Sequence, residues 1–466
     1  MTKRRACSCT DFSRTELARA AAAEAGRGLP AIEPGMPLPA GTGLTRRTFV
    51  ARAAGLALSV YGGTKLLSQA YDEGIARAAS GPEDPVLVSI FLDGGADALS
   101  ILFPDGDSRY RVLRPKLSLP GSSGIAFAED SRLRWHPSLA GLATLHGEGK
   151  LTVLPAIGYT SPDQSHFTSR HYWEVGATDP LLRTGWLGRY LDRVGVQDNP
   201  LQGLSLFTRL QPSLATARVP VASIEGPDRY SLVTQRVNGA VAEQMVGTLG
   251  LLGSAHERSK DSALRTAGSI TSQSHRLRTQ LLPFAPTNGQ TTFGGSVPYP
   301  TSNDQFPRRL AGLAAMLAMG LPLRCVTLEA PGMYDTHAQQ ADELSDALKL
   351  TSDTLLAFQR DLEARGLADR VLVHVWSEFG RRAKENASLG TDHGAAGTGF
   401  LIGTRVRGTM VGEFPGLTSG LDEKGNLRAT SDFRGVYSAL LEQWFGTDAG
   451  AIIPGAASFQ RPSLIK

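Results

Sequence analysis

Apolar runs alternate with helical patterns along the chain after residue 85. The first run, 86–92, is continuous, β-branched and apolar, and it breaks at Asp93-Gly94-Gly95. Such a run is typical of a buried parallel strand that ends in a functional loop. Runs of the same kind predict further strands at residues 151–157, 325–328 and 371–376.

Segments with apolar residues at helical spacing lie between these predicted strands. Helices are predicted over residues 138–147, 308–319 and 338–365. This alternation indicates an α/β domain with a mostly parallel sheet, wound so that the carboxyl ends of its strands share one edge. A last helix is predicted to run through Trp444, with Ser431 or Asp432 as its N-cap.

One internal segment differs in composition from the rest. Residues 247–304 are rich in Ser, Thr, Gln, Gly and Pro and contain few long apolar runs. We predict one polar helix over residues 255–280 and a loop or lid over 286–302. The domain prediction is therefore a single domain over 81–466 that carries a polar insert near 247–304.

The excess of basic over acidic residues in the protein lies in its first 80 residues. The whole chain has 48 Lys and Arg against 44 Asp and Glu, a net charge of +4 and a pI near 9.0. Residues 1–80 hold 11 basic and 6 acidic residues, which leaves 37 basic and 38 acidic residues in the remaining chain. A nucleic-acid-binding body is therefore not expected.

The same leader has the order of a twin-arginine export signal. Arg46 and Arg47 precede an apolar run over residues 53–61 and small residues around 76–80. The alternative is an ordinary amphipathic helix with two chance arginines. We predict a disordered extension plus signal peptide over 1–80, recognition by the twin-arginine export machinery, and a periplasmic or extracellular protein. The run is too short for a bilayer, so no stable membrane span is expected in the mature chain.

Carboxylates and histidines follow several of the predicted strands. Asp93 follows the first strand, and Glu378 follows the strand at residues 371–376. The carboxyl ends of parallel strands converge on one crevice, where such folds bind ligands. Oxygen and nitrogen donors of this mixture suit a divalent metal such as Zn, Mn, Mg or Ca. The predicted metal ligands are Asp93, Asp335, His337, Glu378, Asp392 and His393.

Each of these residues also has an ordinary structural explanation. Asp335 and His337 could be a loop cap and a surface imidazole, and Asp392-His393 could be the same. Asp93 could be a turn residue, because Asp-Gly is good turn chemistry. Glu378 could form a salt bridge with a neighbouring arginine. The metal-site hypothesis therefore depends on their joint placement at strand ends.

A hydroxyl group at a predicted helix start is the candidate nucleophile. Ser165 and His166 follow the strand at residues 151–157 and open a helix that runs through Trp173. There the helix dipole and free N–H groups favour anionic oxygens, and metal coordination would lower the pKa of the hydroxyl. The alternative for Ser165 is simple N-capping. His166 could be a ligand, a substrate contact or the base for Ser165.

Several of these motifs together resemble the DUF1501 family, a group of mostly exported bacterial proteins within the alkaline phosphatase and sulfatase superfamily. They occur in the family's order between about residues 85 and 446. The resembling motifs are Phe91-Leu92-Asp93-Gly94-Gly95-Ala96-Asp97, Ser165-His166-Phe167 with Tyr172-Trp173-Glu174, Gly185-Trp186-Leu187-Gly188-Arg189-Tyr190, Asp335-Thr336-His337, Ser377-Glu378-Phe379-Gly380-Arg381, Gly390-Thr391-Asp392-His393-Gly394 and Asp432-Phe433-Arg434.

The resemblance implies a doubly wound, alkaline-phosphatase-like α/β sheet sandwiched by helices, with a metal cluster at the strand ends. It maps metal ligands onto Asp93, Asp335, His337 and His393, and a nucleophile onto Ser165 or, less well, Thr168. Where phosphatases carry an adjacent Asp-His, this chain has Glu378-Phe379. That departure puts a complete two-metal centre in doubt.

Two functions follow from the sequence. The first is a metal-dependent hydrolase that acts on a small anionic substrate, a phosphate or sulfate ester, outside the cytoplasm. The second is a non-catalytic exported binding or scaffold protein that retains the fold and a degenerate metal site. Glu378-Phe379 favours the second function, whereas Ser165, His337 and His393 favour the first.

Overall fold

The computed structural model describes residues 84–230, 239–286 and 293–466. The predicted leader over residues 1–80 lies outside the described residues. The chain divides into two compact units: one contains the described residues up to Tyr230 together with Gln280–Lys466, and the other the described residues of Ser231–Thr279. The single domain over 81–466 with an insert near 247–304 stays a prediction.

Strands and helices alternate through most of the described chain. The strands are β1 Val86–Phe91, β2 Leu102–Phe103, β3 Ile125–Ala126, β4 Arg134–Trp135, β5 Leu151–Gly158, β6 Gly203–Leu206, β7 Ala222–Ile224, β8 Cys325–Glu329, β9 Val371–Trp376, β10 Arg381–Glu385, β11 Thr391–His393, β12 Gly397–Ile402 and β13 Ser431–Asp432. The helices are α1 Ala98–Ile101, α2 Tyr110–Leu113, α3 Ala140–Gly147, α4 His166–Val175, α5 Trp186–Val194, α6 Gly239–His256, α7 Ser262–Leu281, α8 Phe306–Ala318, α9 Gln340–Ala364 and α10 Phe433–Gln443.

The central sheet is mostly parallel and has the strand order β13-β5-β12-β9-β1-β8-β6-β7. In it, β1 pairs in parallel with β8 and β9, and β6 pairs in parallel with β7 and β8. Strand β12 is antiparallel to both of its neighbours, β5 and β9. The chain that leads into β12 therefore arrives at the edge where β1, β8 and β9 end.

Both faces of this sheet are covered. All residues of β1, β5, β9 and β12 are buried, which explains why their sequences are continuous apolar runs. On one face, α4, α5 and α10 contribute aromatic and aliphatic side chains to a core with alternate strand residues. On the other side, α3 packs on α9 and β5, and α9 also packs on α8. The predicted α/β class with a doubly wound, mostly parallel sheet is confirmed.

The segment around residues 240–281 differs from its prediction. The single polar helix expected over residues 255–280 is instead α7, which begins at Ser262, and a second helix, α6, precedes it where no helix was predicted. Four glycines in α6 lower its helix propensity, and this is why the sequence pattern did not indicate it. A Cβ atom on Gly253 would lie only 2.8 Å from the backbone nitrogen of Ser272, so that glycine lets the two helices approach closely. None of the described helices is long and apolar enough to cross a membrane.

A buried ion pair fixes the loop that follows β1. The side chains of Asp97 and Arg114 are both fully buried, and Arg114 Nη2 donates to Asp97 Oδ1 at 2.9 Å. Arg114 also donates to the backbone carbonyls of Arg382 and Ala383 in β10. Gln340, the first residue of α9, donates to Asp97 Oδ2 at 2.6 Å. Asp97 therefore links the β1 loop, the β10 strand and the start of α9.

Asp97→Ala is expected to destabilise the protein by about 3–5 kcal/mol, because it leaves the guanidinium of Arg114 buried without its partner. The free energy of unfolding from urea titration is the measurement. Asp353→Ala is the control, because Asp353 pairs with Lys349 on the exposed face of α9. That exposed pair should contribute less than about 1 kcal/mol. Equal losses in the two variants would contradict the anchoring role of Asp97.

Candidate functional site

Loops at one edge of the central sheet carry the predicted site residues. Asp93, Asp335 and Glu378 follow β1, β8 and β9, and His393 ends β11, just before the antiparallel strand β12. Helix α4 begins at the same edge, after the loop that follows β5. Its start is shaped by the Asp163 carboxylate, which accepts the N–H of Ser165 at 2.7 Å. Three loops and one helix start therefore contribute side chains to one place.

Three of these side chains converge on each other. Ligand atoms of His166, Asp335 and His393 all lie within 4.8 Å of one another. Asp335 Oδ1 is 3.4 Å from His166 Nε2 and 3.4 Å from His393 Nε2. His337 Nε2 adds a fourth group, 3.1 Å from Asp335 Oδ1 and 2.9 Å from His393 Nε2. We call these four residues the histidine cluster.

In two imidazoles of the histidine cluster, the Nδ1 atom makes a hydrogen bond to an acceptor outside the cluster. His166 Nδ1 lies 2.6 Å from Glu378 Oε1, and His393 Nδ1 lies 2.8 Å from the backbone carbonyl of Gln164. Because a carboxylate and a carbonyl only accept, both Nδ1 atoms must carry the proton. The Nε2 atoms are thereby directed at Asp335. This is how proteins usually orient a metal-binding histidine.

Glu378 itself is not among the converging ligand atoms. Its side chain is fully buried, and its oxygens accept hydrogen bonds from the backbone N–H groups of Gly94 and Gly95 and from the hydroxyl of Ser377. Together with His166, these donors occupy both carboxylate oxygens. Glu378 therefore lies behind His166 rather than beside the other donors. The salt bridge to a neighbouring arginine, considered as its alternative role, is not formed.

That arginine pairs with Asp335 instead. The side chain of Arg381 is fully buried, and its Nη2 donates to Asp335 Oδ1 at 2.6 Å. Other N–H groups of Arg381 donate to the carbonyls of Gly95 and Thr391, at 2.7 and 2.9 Å. Burial tends to raise the pKa of Asp335, but the neighbouring imidazoles of His166 and His393 and the hydrogen bond from Arg381 hold that pKa far below its usual range. Asp335 is therefore a carboxylate at any physiological pH.

The aromatic ring of Phe379 packs against two imidazoles of the histidine cluster. Its centroid is 4.9 Å from that of His166 and 4.9 Å from that of His393. The two imidazole rings are themselves 4.3 Å apart. The resemblance implies a histidine at this position. This chain has Phe379 there instead, and its ring holds two other histidines in place by packing.

Asp93 and Asp392 are not brought into the histidine cluster. Asp93 Oδ1 has Arg170 as its nearest cation, at 3.7 Å, and its side chain is about half exposed. Arg170 in turn is held by Glu174 and Glu329, at 2.9 and 3.0 Å. The Asp392 side chain is also half exposed and lies 3.8 Å from His337 Nδ1. The arrangement assembles one group of donors rather than two.

Ser165 occupies the N-cap position of α4, with extended backbone angles. Its hydroxyl makes no capping hydrogen bond to the helix, so the simple capping role is not seen. The first N–H groups of a helix have no partner within the helix and attract anions. Ser165 therefore places an uncommitted hydroxyl beside these groups and directly before His166.

The donors of the histidine cluster suit a divalent metal. Two imidazole nitrogens and a carboxylate are a common ligand set for zinc and similar ions. His166 Nε2 is buried and has no well-formed hydrogen bond, although Asp335 Oδ1 is within ion-pair distance. A buried nitrogen that lacks a hydrogen-bond partner and lies beside a carboxylate and a second imidazole is available as a metal ligand. The residues present therefore fit such an ion.

Two contributors to the site were missed in the sequence. Gln164 acts through its backbone carbonyl, which no side-chain pattern reveals. Arg381 was considered only as a partner of Glu378, because charged residues are seldom fully buried. Its position five residues after the end of the predicted strand at 371–376 was the available signal.

Several solved structures are similar to this chain. A sulfatase from Pseudoalteromonas sp. is 14% identical, with 90% of this chain and 74% of that chain covered and a TM-score of 0.31. For a protein in the alkaline phosphatase superfamily from Vibrio parahaemolyticus the identity is 10%, the shares are 88% and 78%, and the TM-score is 0.34. For a phosphonate monoester hydrolase of Agrobacterium radiobacter these values are 10%, 81%, 79% and 0.33. Among curated proteins, none matches the sequence.

A family model also matches the sequence. The model of DUF1501, described as a protein of unknown function, matches residues 165–430. The matched residues start at Ser165 and contain the whole histidine cluster together with Glu378, whereas Asp93 precedes them. The match therefore covers more than half of the chain.

Protein prepared in the presence of a chelator is expected to lose stability as the pH rises through the range in which His166 titrates. Burial lowers the pKa of His166, but Asp335 and Glu378 outweigh it and raise the pKa from 6.5 to about 9. The folded state thus holds a proton that the unfolded chain releases. This stabilisation is complete below pH 6.5 and is lost as the pH passes through about 9.

The measurement is the midpoint temperature of thermal unfolding in the presence of the chelator, determined at pH values between about 6 and 10. His166→Gln should remove this part of the pH dependence. His171→Gln changes a histidine of the same helix that lies outside the histidine cluster, with its Nε2 3.1 Å from the carbonyl of Asp179. That control should keep the wild-type profile. An unchanged profile in His166→Gln would show that His166 does not hold the proton.

Proposed function

The chain belongs to the DUF1501 family, and from that premise we propose that it is an exported, metal-dependent hydrolase of a phosphate or sulfate ester. One observation carries the proposal. Two histidines with fixed Nδ1 atoms and one carboxylate converge within 4.8 Å, directly beside the start of α4. A purely structural cluster would not need two fixed acceptors, the carboxylate of Glu378 and the carbonyl of Gln164, to direct its imidazoles at one carboxylate.

In this proposal the metal is held by His166 Nε2, His393 Nε2 and Asp335, with His337 as the nearest further donor. A divalent ion such as Zn, Mn, Mg or Ca would act there as a Lewis acid, polarising an ester oxygen and lowering the pKa of a hydroxyl. His166 is thereby a ligand rather than a base, because Glu378 holds its Nδ1. Glu378 and the carbonyl of Gln164 are positioning groups.

Ser165 is the proposed nucleophile. Its oxygen forms a bond to the phosphorus or sulfur atom while the bond from that atom to the alcohol oxygen breaks, and the alcohol leaves with the proton that Ser165 gives up. Water then hydrolyses the seryl ester, which restores the hydroxyl and releases the inorganic anion. The free N–H groups at the start of α4 bind the anionic oxygens during both steps.

His337 is suited to help the leaving alcohol. Burial lowers the pKa of His337 below its usual value, so the imidazole is neutral near pH 7 and can pass a proton on. Its side chain is about half exposed, and among the described residues the carboxylate closest to its Nδ1, that of Asp392, is 3.8 Å away, beyond hydrogen-bond distance. It is also the most exposed imidazole of the histidine cluster.

A second function is favoured by a specific observation. Asp93, which the resemblance maps as a metal ligand, faces Arg170 rather than the histidine cluster. Only one group of possible metal ligands is then assembled, where the resemblance to phosphatases implies two. An exported binding protein with a degenerate metal site would have this arrangement. Turnover and metal content together distinguish the two functions.

We expect the purified protein to contain a divalent metal and to hydrolyse members of a panel of phosphate and sulfate esters. Ser165→Ala should lower turnover by roughly a thousandfold or more with little change in metal content. His393→Ala should lower both. Glu378→Gln should weaken metal binding by about 10–100-fold, because it disturbs the orientation of His166. Elemental analysis and steady-state kinetics are the measurements.

Two variants serve as matched controls. Thr168→Ala removes a hydroxyl from the same helix start, and His171→Ala removes an imidazole from the same helix outside the histidine cluster. Both should retain metal and activity. Turnover that survives both Ser165→Ala and His393→Ala would overturn the mechanism. Bound metal without turnover of any ester would favour the binding-protein function.

Replacement of both arginines, Arg46→Lys with Arg47→Lys, is expected to block export and processing, because twin-arginine recognition requires the guanidinium pair. Immunoblots of periplasmic and cytoplasmic fractions are the measurement. Arg4→Lys with Arg5→Lys changes a second arginine pair of the leader and should leave export intact. Unchanged periplasmic accumulation of the Arg46 and Arg47 variant would refute the export proposal.

A further inference from the structure

Large apolar side chains are exposed at the start of α4 and in the loops that carry the histidine cluster. Phe167 is 63% exposed, Met333 is 66% exposed and Leu389 is 37% exposed. We propose that these three residues, the apolar rim, bind the organic half of the substrate, and that this half is an alkyl or aryl group. The inference rests on the proposed function and adds the class of ester to it.

Two members of the apolar rim are tied to the histidine cluster by the chain itself. Phe167 is the residue after His166, and Met333 lies two residues before Asp335. A chain segment of two residues spans at most about 7 Å. The Cα atoms of Phe167 and Met333 therefore lie no farther from those of the proposed metal ligands His166 and Asp335 than about the length of a small ester.

Leu389 is farther from the clustered histidines in sequence, but hydrogen bonds join its loop to the segment that carries His337. Its carbonyl accepts the N–H of Gln340 at 2.9 Å, and Asn386 Nδ2 donates to the carbonyl of His337 at 2.9 Å. Leu389 also has a positive φ of 59°, an unfavourable conformation for a bulky side chain. Strain of this kind at a ligand site is often retained for its function.

The charges in these loops do not favour a highly charged organic group. Segments 161–169, 330–340 and 386–394 contain no Lys or Arg and contain three aspartates, Asp163, Asp335 and Asp392. The nearby guanidinium of Arg170 is engaged by Glu174 and Glu329. A polyanionic substrate, such as a nucleotide or a sulfated oligosaccharide, would find no free cationic side chain in these loops.

Single exposed apolar side chains are common on proteins. The assignment of the apolar rim therefore depends on where its residues lie relative to the histidine cluster. Met319 offers a comparison at the other end of the same strand, β8. It is 52% exposed and follows the end of α8, before β8 begins, and so lies at the opposite edge of the sheet. Met333 comes after β8 ends. The two methionines are thus matched in type and exposure but differ in their distance from the histidine cluster.

The test measures binding by calorimetry in full-length, metal-loaded protein that carries Ser165→Ala, so that esters are not consumed. The probes are inorganic sulfate, inorganic phosphate, hexyl sulfate and hexyl phosphate. We expect a hexyl ester to bind about tenfold or more tightly than the matching inorganic anion. Phe167→Ser and Met333→Ser should each reduce this ratio severalfold, and Met319→Ser should leave it unchanged.

The outcomes separate this inference from the proposed function. Equal affinities for a hexyl ester and its inorganic anion, or equal ratios in Met333→Ser and Met319→Ser, would overturn the apolar rim and leave the hydrolase intact. Absence of binding by all four probes would overturn the hydrolase and the rim with it. A hexyl preference lost in the rim variants supports the rim even if wild-type turnover is absent.

Discussion

The buried carboxylate of Glu378 holds the site together. A charge removed from water is costly unless hydrogen bonds replace its hydration, and here two glycine N–H groups, a serine hydroxyl and His166 Nδ1 do so. The β1 loop, the end of β9 and the start of α4 are therefore joined at one carboxylate. Gly94 makes the approach possible: it has a φ of +120°, and a Cβ atom there would lie 2.3 Å from the backbone nitrogen of Asp335.

Charge in the site is balanced locally rather than by the protein as a whole. Arg381 neutralises Asp335 from the buried side, and Arg114 neutralises Asp97 below the same loop. The residues after 80 carry almost equal numbers of basic and acidic side chains. An anionic ester would thus be attracted by the first N–H groups of α4 and by a bound cation, within a distance that salt does not screen effectively.

The sequence predicts the sheet better than the site, for a physical reason. Strands buried on both faces are continuous apolar runs, so the expected strand at 371–376 coincides with β9 and the one at 86–92 differs from β1 by one residue. Strand-end placement also predicts that Asp335, His337 and His393 meet. The directions of the Asp93 and Asp392 side chains depend on partners such as Arg170 and Asn386, which strand order does not determine. The role of Glu378 likewise depends on backbone donors that have no signature in the sequence.

Backbone strain is concentrated around the histidine cluster. Three non-glycine residues in the described chain have positive φ: Ser161, Gln339 and Leu389, each within five residues of a clustered histidine. Such a conformation costs about 1–3 kcal/mol and persists only where the surroundings determine it. For Gln339 and Leu389, Gln340 supplies them, because its N–H donates to the carbonyl of Leu389 and its side chain contacts Asp97, Thr336 and Thr391 at the start of α9. A ligand that binds between the imidazoles would therefore meet side chains already held in place, and its binding energy would not be spent on ordering loops.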